Sequence, residues 1–205
     1  MRNNFNSKLQ TLNDNLSEIC KLCERSLDSS LNAISGEELS TSANLELKTK
    51  IEDQCLNLLR EENPVASDFR VIIATLLMVA DLSRITIQSH RINTLAQILN
   101  KKGIKFDDIG LTKLAKSAIE NVKDTVQCVV SGDLDLATKI INGDECVDDA
   151  FNEVKENLAK LMLSIPESGE LLIDLVLIAK YYERISDHSV NVARLMKFQL
   201  NGSDK

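Results

Sequence analysis

Phe5, Leu9, Leu12, Leu16, Ile19, Cys23, Leu27 and Leu31 recur at steps of three and four without a break. That stripe belongs to one long amphipathic helix, and it limits what the chain can fold into more than any other feature. The same spacing returns down the chain. Leu47, Ile51, Cys55 and Leu58 mark a second helix, and a third is predicted over 65–99, with Leu76, Ala80, Leu95 and Leu99 among its core candidates. Leu111, Leu114, Ala118, Val122 and Val129 mark a fourth. Ala137, Ile140, Ile141, Val147, Phe151, Val154, Leu158 and Leu161 read as one fifth helix, and a sixth opens near Pro166. Seven Gly and two Pro in 205 residues leave little punctuation for strands, and aromatics at 3% with no Trp disfavour a β-sandwich. The expected fold is all-α, six long antiparallel helices in an up-and-down bundle.

The chain also repeats itself. "AISGEEL" at Ala33 corresponds to "VVSGDLD" at Val129, the Pro64 break to the Pro166 break, and Arg84 in "DLSRI" to Arg184 in "YYERI", one hundred residues on. Each half reads helix, helix, long helix. Two tandem three-helix bundles follow, with the boundary placed between 102 and 103, beside the expected helix stop at Gly103.

A formal charge of −7 and few aromatics argue against nucleic acid, which needs a basic footprint and stacking platforms. Five Cys with no apolar leader in "MRNNFNSKLQ" point to reduced thiols and a cytoplasmic protein. The longest uncharged apolar run, "VIIATLLMVA", has ten residues, whereas a span needs roughly 20. No membrane insertion is expected.

Against this background "YYERISDHSVNVA", residues 181–193, stands out. Glu183 and Asp187 lie four apart, on one face of a greasy helix. Asp144 and Asp148 in "DECVDD" do likewise. Were the two helices to pack together, four carboxylates would converge, and like charges at that range call for a cation. Carboxylate oxygens suit hard ions such as Mg²⁺, Mn²⁺ or Ca²⁺, and carboxylate bundles also hold iron. Spacing alone is weak support, because the chain has eight acidic pairs at i, i+4 and most such pairs are solvated faces.

The flanking residues say more. Pro64, Ala66, Asp68 and Arg70, followed by Glu183, Arg184, Ile185, Asp187, His188, Asn191 and Ala193, resemble the PhoU family of phosphate-transport accessory regulators. That family's long helices carry P-x-A-x-D-L-R and L-E-R-I-G-D-H-A-x-N-I-A. Asp144, Val147 and Asp148 fit its D-x-x-I-D pattern on the preceding helix, and the opening "MRNNFNSKLQTL" is similar too. The resemblance implies two three-helix repeats and metal held by Asp144, Asp148, Glu183 and Asp187, the ion being Fe, Mn, Mg or Zn. It implies a homodimer and a negative role in phosphate signalling, exerted on a phosphate ABC transporter ATPase and a sensor histidine kinase. The first repeat departs from the pattern. "SRITI" puts Ser83 and Ile87 where the acids belong; opposite them, counting back from Pro64 puts Thr41 and Leu45, counting forward from Gly36 puts Lys48 and Glu52, and neither count leaves an acidic pair. One metal site, in the second repeat, and a dry first repeat are expected.

Other candidates have plainer readings. His188 points about 100° away from Asp187 on the helix and reads as a supporting or surface group. His90 reads as a surface or interhelix residue. Cys20 and Cys23 form a C-x-x-C in mid-helix with no further zinc ligands, so core thiols are expected. Arg70 and Arg84 suggest ion pairs with Asp68 or Asp81, and Arg184 could orient Glu183 or Asp187. No phosphate-binding loop, dinucleotide fingerprint or nucleophile with its base is present, so no enzyme is read. The alternatives are a divergent adaptor of the same family serving another anion transporter and, less favoured, a metal-dependent hydrolase.

Overall fold

The structure is a computed structural model that describes residues 2–37, 45–61, 64–103, 105–164 and 168–201. The expected break at Pro166 lies outside them, as do Glu38 and Leu39 of the first turn. The described residues are helical, with no strand: α1 (Arg2–Ile34), α2 (Leu45–Glu61), α3 (Ala66–Lys101), α4 (Leu111–Ser131), α5 (Leu134–Asn142), α6 (Glu145–Ser164) and α7 (Gly169–Asn201). A short 3-10 turn, Phe106–Ile109, leads into α4.

The long helices stop where small residues let the backbone turn. Gly36 at φ +94° and Gly132 at φ +69° cap the ends of α1 and α4 in the left-handed region that Cβ-bearing residues avoid. These are the matching glycines of the two repeats. Each repeat keeps its order of helices, with one correction: the predicted fifth helix is two helices, α5 and α6. Asp133 caps α5 by accepting from the Asp135 and Leu136 amides. At Gly143 the chain turns, its N–H reaching the Lys139 and Ile140 carbonyls. Asp144 then starts α6, its carbonyl accepting from the Val147 and Asp148 amides. The Asp144 side chain is thereby free to point toward α7.

α3 and α7 form the central pair and pack antiparallel, since Asp81 meets His188 while Arg91 lies over the Tyr181 ring. Ile85 and Ile185, at matching positions of the two repeats, are both fully buried. α1 and α4 complete an inner group of four, with α2 against α1 and α3, and α5 and α6 against α7 and α4. One continuous core results, from Leu12 and Leu27 through Leu82 and Ile92 to Leu114 and Tyr182. The most apolar stretch of α3 is long and apolar enough to cross a membrane, against the expectation from its charge-free run. In the fold 61% of that stretch is buried, because α3 is covered by α1, α2 and α7.

Candidate metal centre

Asp144, immediately before α6, and Asp148 on α6 lie near Glu183 and Asp187 on α7. The sequence places the two α7 acids one turn apart, and the break at Gly143 brings Asp144 over them. Burial pushes the Asp144 carboxyl above the ordinary carboxylate range, and Asp148 and Glu183 raise it further. The Asp187 carboxyl is likewise raised, first by partial desolvation on its inner side and then by Glu183, Asp144 and Asp148, although the residue as a whole is exposed. The four expected carboxylates therefore share one electrostatic neighbourhood. Asp148 and Asp187 are solvent-exposed at its rim, and the Glu183 side chain lies inside with 14% of its surface exposed.

Three side chains not singled out by sequence complete the site. The Ser186 hydroxyl donates to Asp144 Oδ1 at 3.3 Å, and Asn121 Nδ2 donates to Ser186 Oγ at 2.7 Å, so α4 supports the acid from behind. Lys180 Nζ lies 2.5 Å from Glu183 Oε1 and 5.3 Å from the centre of the Phe151 ring. Lys180 stands three residues before Glu183, on its face of the helix, a spacing too common to single it out. Asn121 carried no signal at all. Arg184, expected to orient an acid, is exposed, and the cation on Glu183 is Lys180.

Among the described residues no three His, Cys, Asp or Glu side chains stand in a geometry that would enclose an ion as they are. Lys180 holds one oxygen of Glu183, and Ser186 holds one of Asp144. The donor set nevertheless fits an oxygen-preferring cation. Glu183 Oε2 is buried with no hydrogen-bond partner, a costly state for a carboxylate oxygen that a hard cation would relieve.

Among the described residues the first repeat holds nothing comparable at the matching place; Thr41 lies outside them. Ser83 is buried and Ile87 is half-buried, while Lys48 and Glu52 pair with each other at 2.9 Å. Where Asn121 meets Ser186, the first repeat has Cys23 Sγ at 3.4 Å from Thr86 Oγ1 and 3.1 Å from the Leu82 carbonyl. Cys20 and Cys23 are fully buried core thiols. His188 Nδ1 pairs with Asp81 Oδ1 at 2.9 Å, joining the repeats rather than reaching the acids. Arg84 makes only a loose 3.6 Å contact with Asp81 and is 62% exposed. Arg70 turns its Nε inward, where it finds no partner. His90 is at the surface.

A cleft of about 690 Å³ lies between the 3-10 turn, the end of α6 and the start of α7, lined by Lys105, Asn157, Lys160, Leu171 and Leu175 among others. None of the four acids lines it.

Comparison with known proteins gives one answer. The PhoU domain family model matches residues 16–96 and 111–196. A phosphate-specific transport system accessory protein PhoU homolog of Borreliella burgdorferi is 23% identical over 97% of this chain and 95% of its own length. A homolog of the same name from Pseudomonas aeruginosa is 24% identical over 98% of this chain and 86% of its own length. The crystal structure of PhoU from Pseudomonas aeruginosa superposes with a TM-score of 0.88 at 22% identity, covering 97% of this chain and 100% of that one. The phosphate transport system regulatory protein PhoU from Streptococcus pneumoniae superposes with a TM-score of 0.81 at 19% identity, covering 97% and 98%.

Proposed function

The chain belongs to the PhoU domain family, and from that premise we propose that it is an accessory regulator of phosphate transport and phosphate signalling. The observation that carries this reading is the family match along both repeats, shared with relatives named as accessory proteins of phosphate-specific transport. The chain would act in the cytoplasm as a homodimer, without catalysis, by contact with the ATPase of a phosphate ABC transporter and with a sensor histidine kinase. The two repeats would divide at 102/103.

In this reading Asp144, Asp148, Glu183 and Asp187 hold a metal ion, of which Fe, Mn, Mg and Zn are the candidates. The ion supplies positive charge to a surplus of carboxylates and a tie between α6 and α7. The chain's own part is to present hard oxygens from two helices, with Ser186 and Asn121 fixing Asp144. Coupling α6 to α7 in this way would set the surface that a partner meets. Partner affinity should therefore differ between the metal-loaded and metal-free protein, and equal affinities would remove that link.

The experiment is a phosphate-regulon reporter in a strain lacking this gene, grown in high phosphate. Derepression rescued by the wild-type gene is the expected result, with rescue lost in Glu183→Gln/Asp187→Asn. A silent reporter would contradict it and favour a second reading, an adaptor of this family serving another anion transporter. The loss of both acids in the first repeat supports that second reading. A hydrolase gains no support from the 690 Å³ cleft, which none of the four acids lines.

A further inference from the structure

We propose that Lys180 is a tethered counter-cation that occupies the carboxylate site when metal is absent and sets metal affinity by competing for Glu183. This inference rests on the metal-binding reading above and goes beyond it.

Four observations carry it. The ammonium is 2.5 Å from Glu183 Oε1, the range of a charge-assisted hydrogen bond. It neutralises only one of the two oxygens, since Glu183 Oε2 remains buried and without a partner. A single tethered ammonium cannot serve both oxygens and the neighbouring acids, whereas a divalent ion accepts several oxygens at once. Secondly, Lys180 has somewhere to go. Its side chain is 40% exposed, and its ammonium already lies 5.3 Å from the Phe151 ring centre on α6. Leaving Glu183 would return it to water and to that ring face.

Thirdly, the charge of Lys180 reaches beyond its partner, since it also acts on Asp187. Displacing it changes the field across the α7 half of the site. Lastly, the molecule contains its own control. One hundred residues earlier, Ala80 stands in the place of Lys180, and Ser83 and Ile87 stand in the places of Glu183 and Asp187. The repeat that lacks the acids also lacks the lysine. A lysine needed only for packing or solubility would have no reason to be missing together with them.

The test is calorimetric titration of chelator-stripped protein with Mn²⁺ and, separately, Zn²⁺. The proteins are wild type, Lys180→Met, Lys180→Arg and Glu183→Gln. Met keeps the apolar stem and removes the charge; Arg keeps the charge. Lys180→Met is expected to bind at least tenfold more tightly than wild type, and Lys180→Arg no more tightly. Melting adds an independent readout: metal-free Lys180→Met should melt below metal-free wild type, and the loaded forms should reverse that order. Wild-type binding that is lost in Glu183→Gln but unchanged or weakened in a folded Lys180→Met would overturn the role of Lys180 and leave the metal site standing. No binding of either ion to wild type or Lys180→Met would overturn the metal reading, and this inference with it.

Discussion

Burial sets the chemistry of the five thiols residue by residue. Burial pushes Cys23 and Cys55 up to about 12 and Cys128 up to about 11, so none is a nucleophile at neutral pH. Cys146, beside the acids, is exposed. In the native protein at pH 7.5, Cys146 should take an alkylating reagent at least tenfold faster than each of the other four, read by mass mapping. The sign for stability follows. These thiols stay protonated in the fold while unfolded thiols ionise near 8.5, so their contribution is whole below about pH 8.5 and is lost as pH rises toward 11–12, by up to roughly 1.4 kcal/mol per thiol per pH unit. Denaturant midpoints should fall from pH 8.5 to 10, and less steeply in Cys23→Ala when each profile is compared with its own value at pH 7. The acids obey the same sign in a lower pH range. Asp144 and Asp187 have folded carboxyls raised above their unfolded range, so ionising them costs the metal-free fold. Asp187→Asn should therefore raise the melting temperature of metal-free protein at pH 7, and the gain should vanish as pH falls below roughly 4, where the unfolded carboxyl is protonated too. The four acids were legible because two of them share a motif with recognisable neighbours. Ser186 within the same stretch and Lys180 just before it carried no such mark, since a lysine near a glutamate is ordinary on any helix.

Among the elements, α5 and α6 teach most about what a pattern hides. Ile140, Val147 and Val154 are all buried, and they stay in phase across the break at Gly143. An apolar stripe that keeps its phase reads as one helix even where the backbone turns. Gly143 does not give the turn away by a positive φ, and the chain marks it only by the capping carbonyls it meets. The start of α5 is better signalled, by Gly132 followed by Asp133. Asp133→Ala removes the cap of α5 and should cost about 0.5–2 kcal/mol in denaturant unfolding, with Asp133→Asn restoring most of it. Gly132→Ala should cost about 1 kcal/mol for its backbone alone, since an added Cβ would meet nothing closer than Leu200 Cδ1 at 3.9 Å.

At the scale of the molecule, the two repeats share one core, and polar contacts fix how they meet. Tyr182 on α7 is fully buried, and its hydroxyl donates to Ser30 Oγ on α1 at 3.1 Å. Tyr182→Phe should cost about 1 kcal/mol, and a cycle with Ser30→Ala should show the two effects to be non-additive. The repeat was legible because matching glycines, prolines and arginines recur at near-constant spacing. The seam was not, because periodicity within a helix says nothing about which helix it faces; Asp81 with His188 and Arg91 with Tyr181 emerge only when α3 and α7 are laid antiparallel. The central claim is that the acidic cluster of Asp144, Asp148, Glu183 and Asp187 holds metal, in the second repeat alone. Its most direct test is metal analysis of the protein after loading with Fe²⁺, Mn²⁺ or Zn²⁺ and exhaustive dialysis. Retained metal in wild type, lost in Glu183→Gln/Asp187→Asn and kept in Lys48→Ala/Glu52→Ala, is the predicted result. A wild-type chain that retains none of the three ions, or a Glu183→Gln/Asp187→Asn chain that retains as much as wild type, would contradict it.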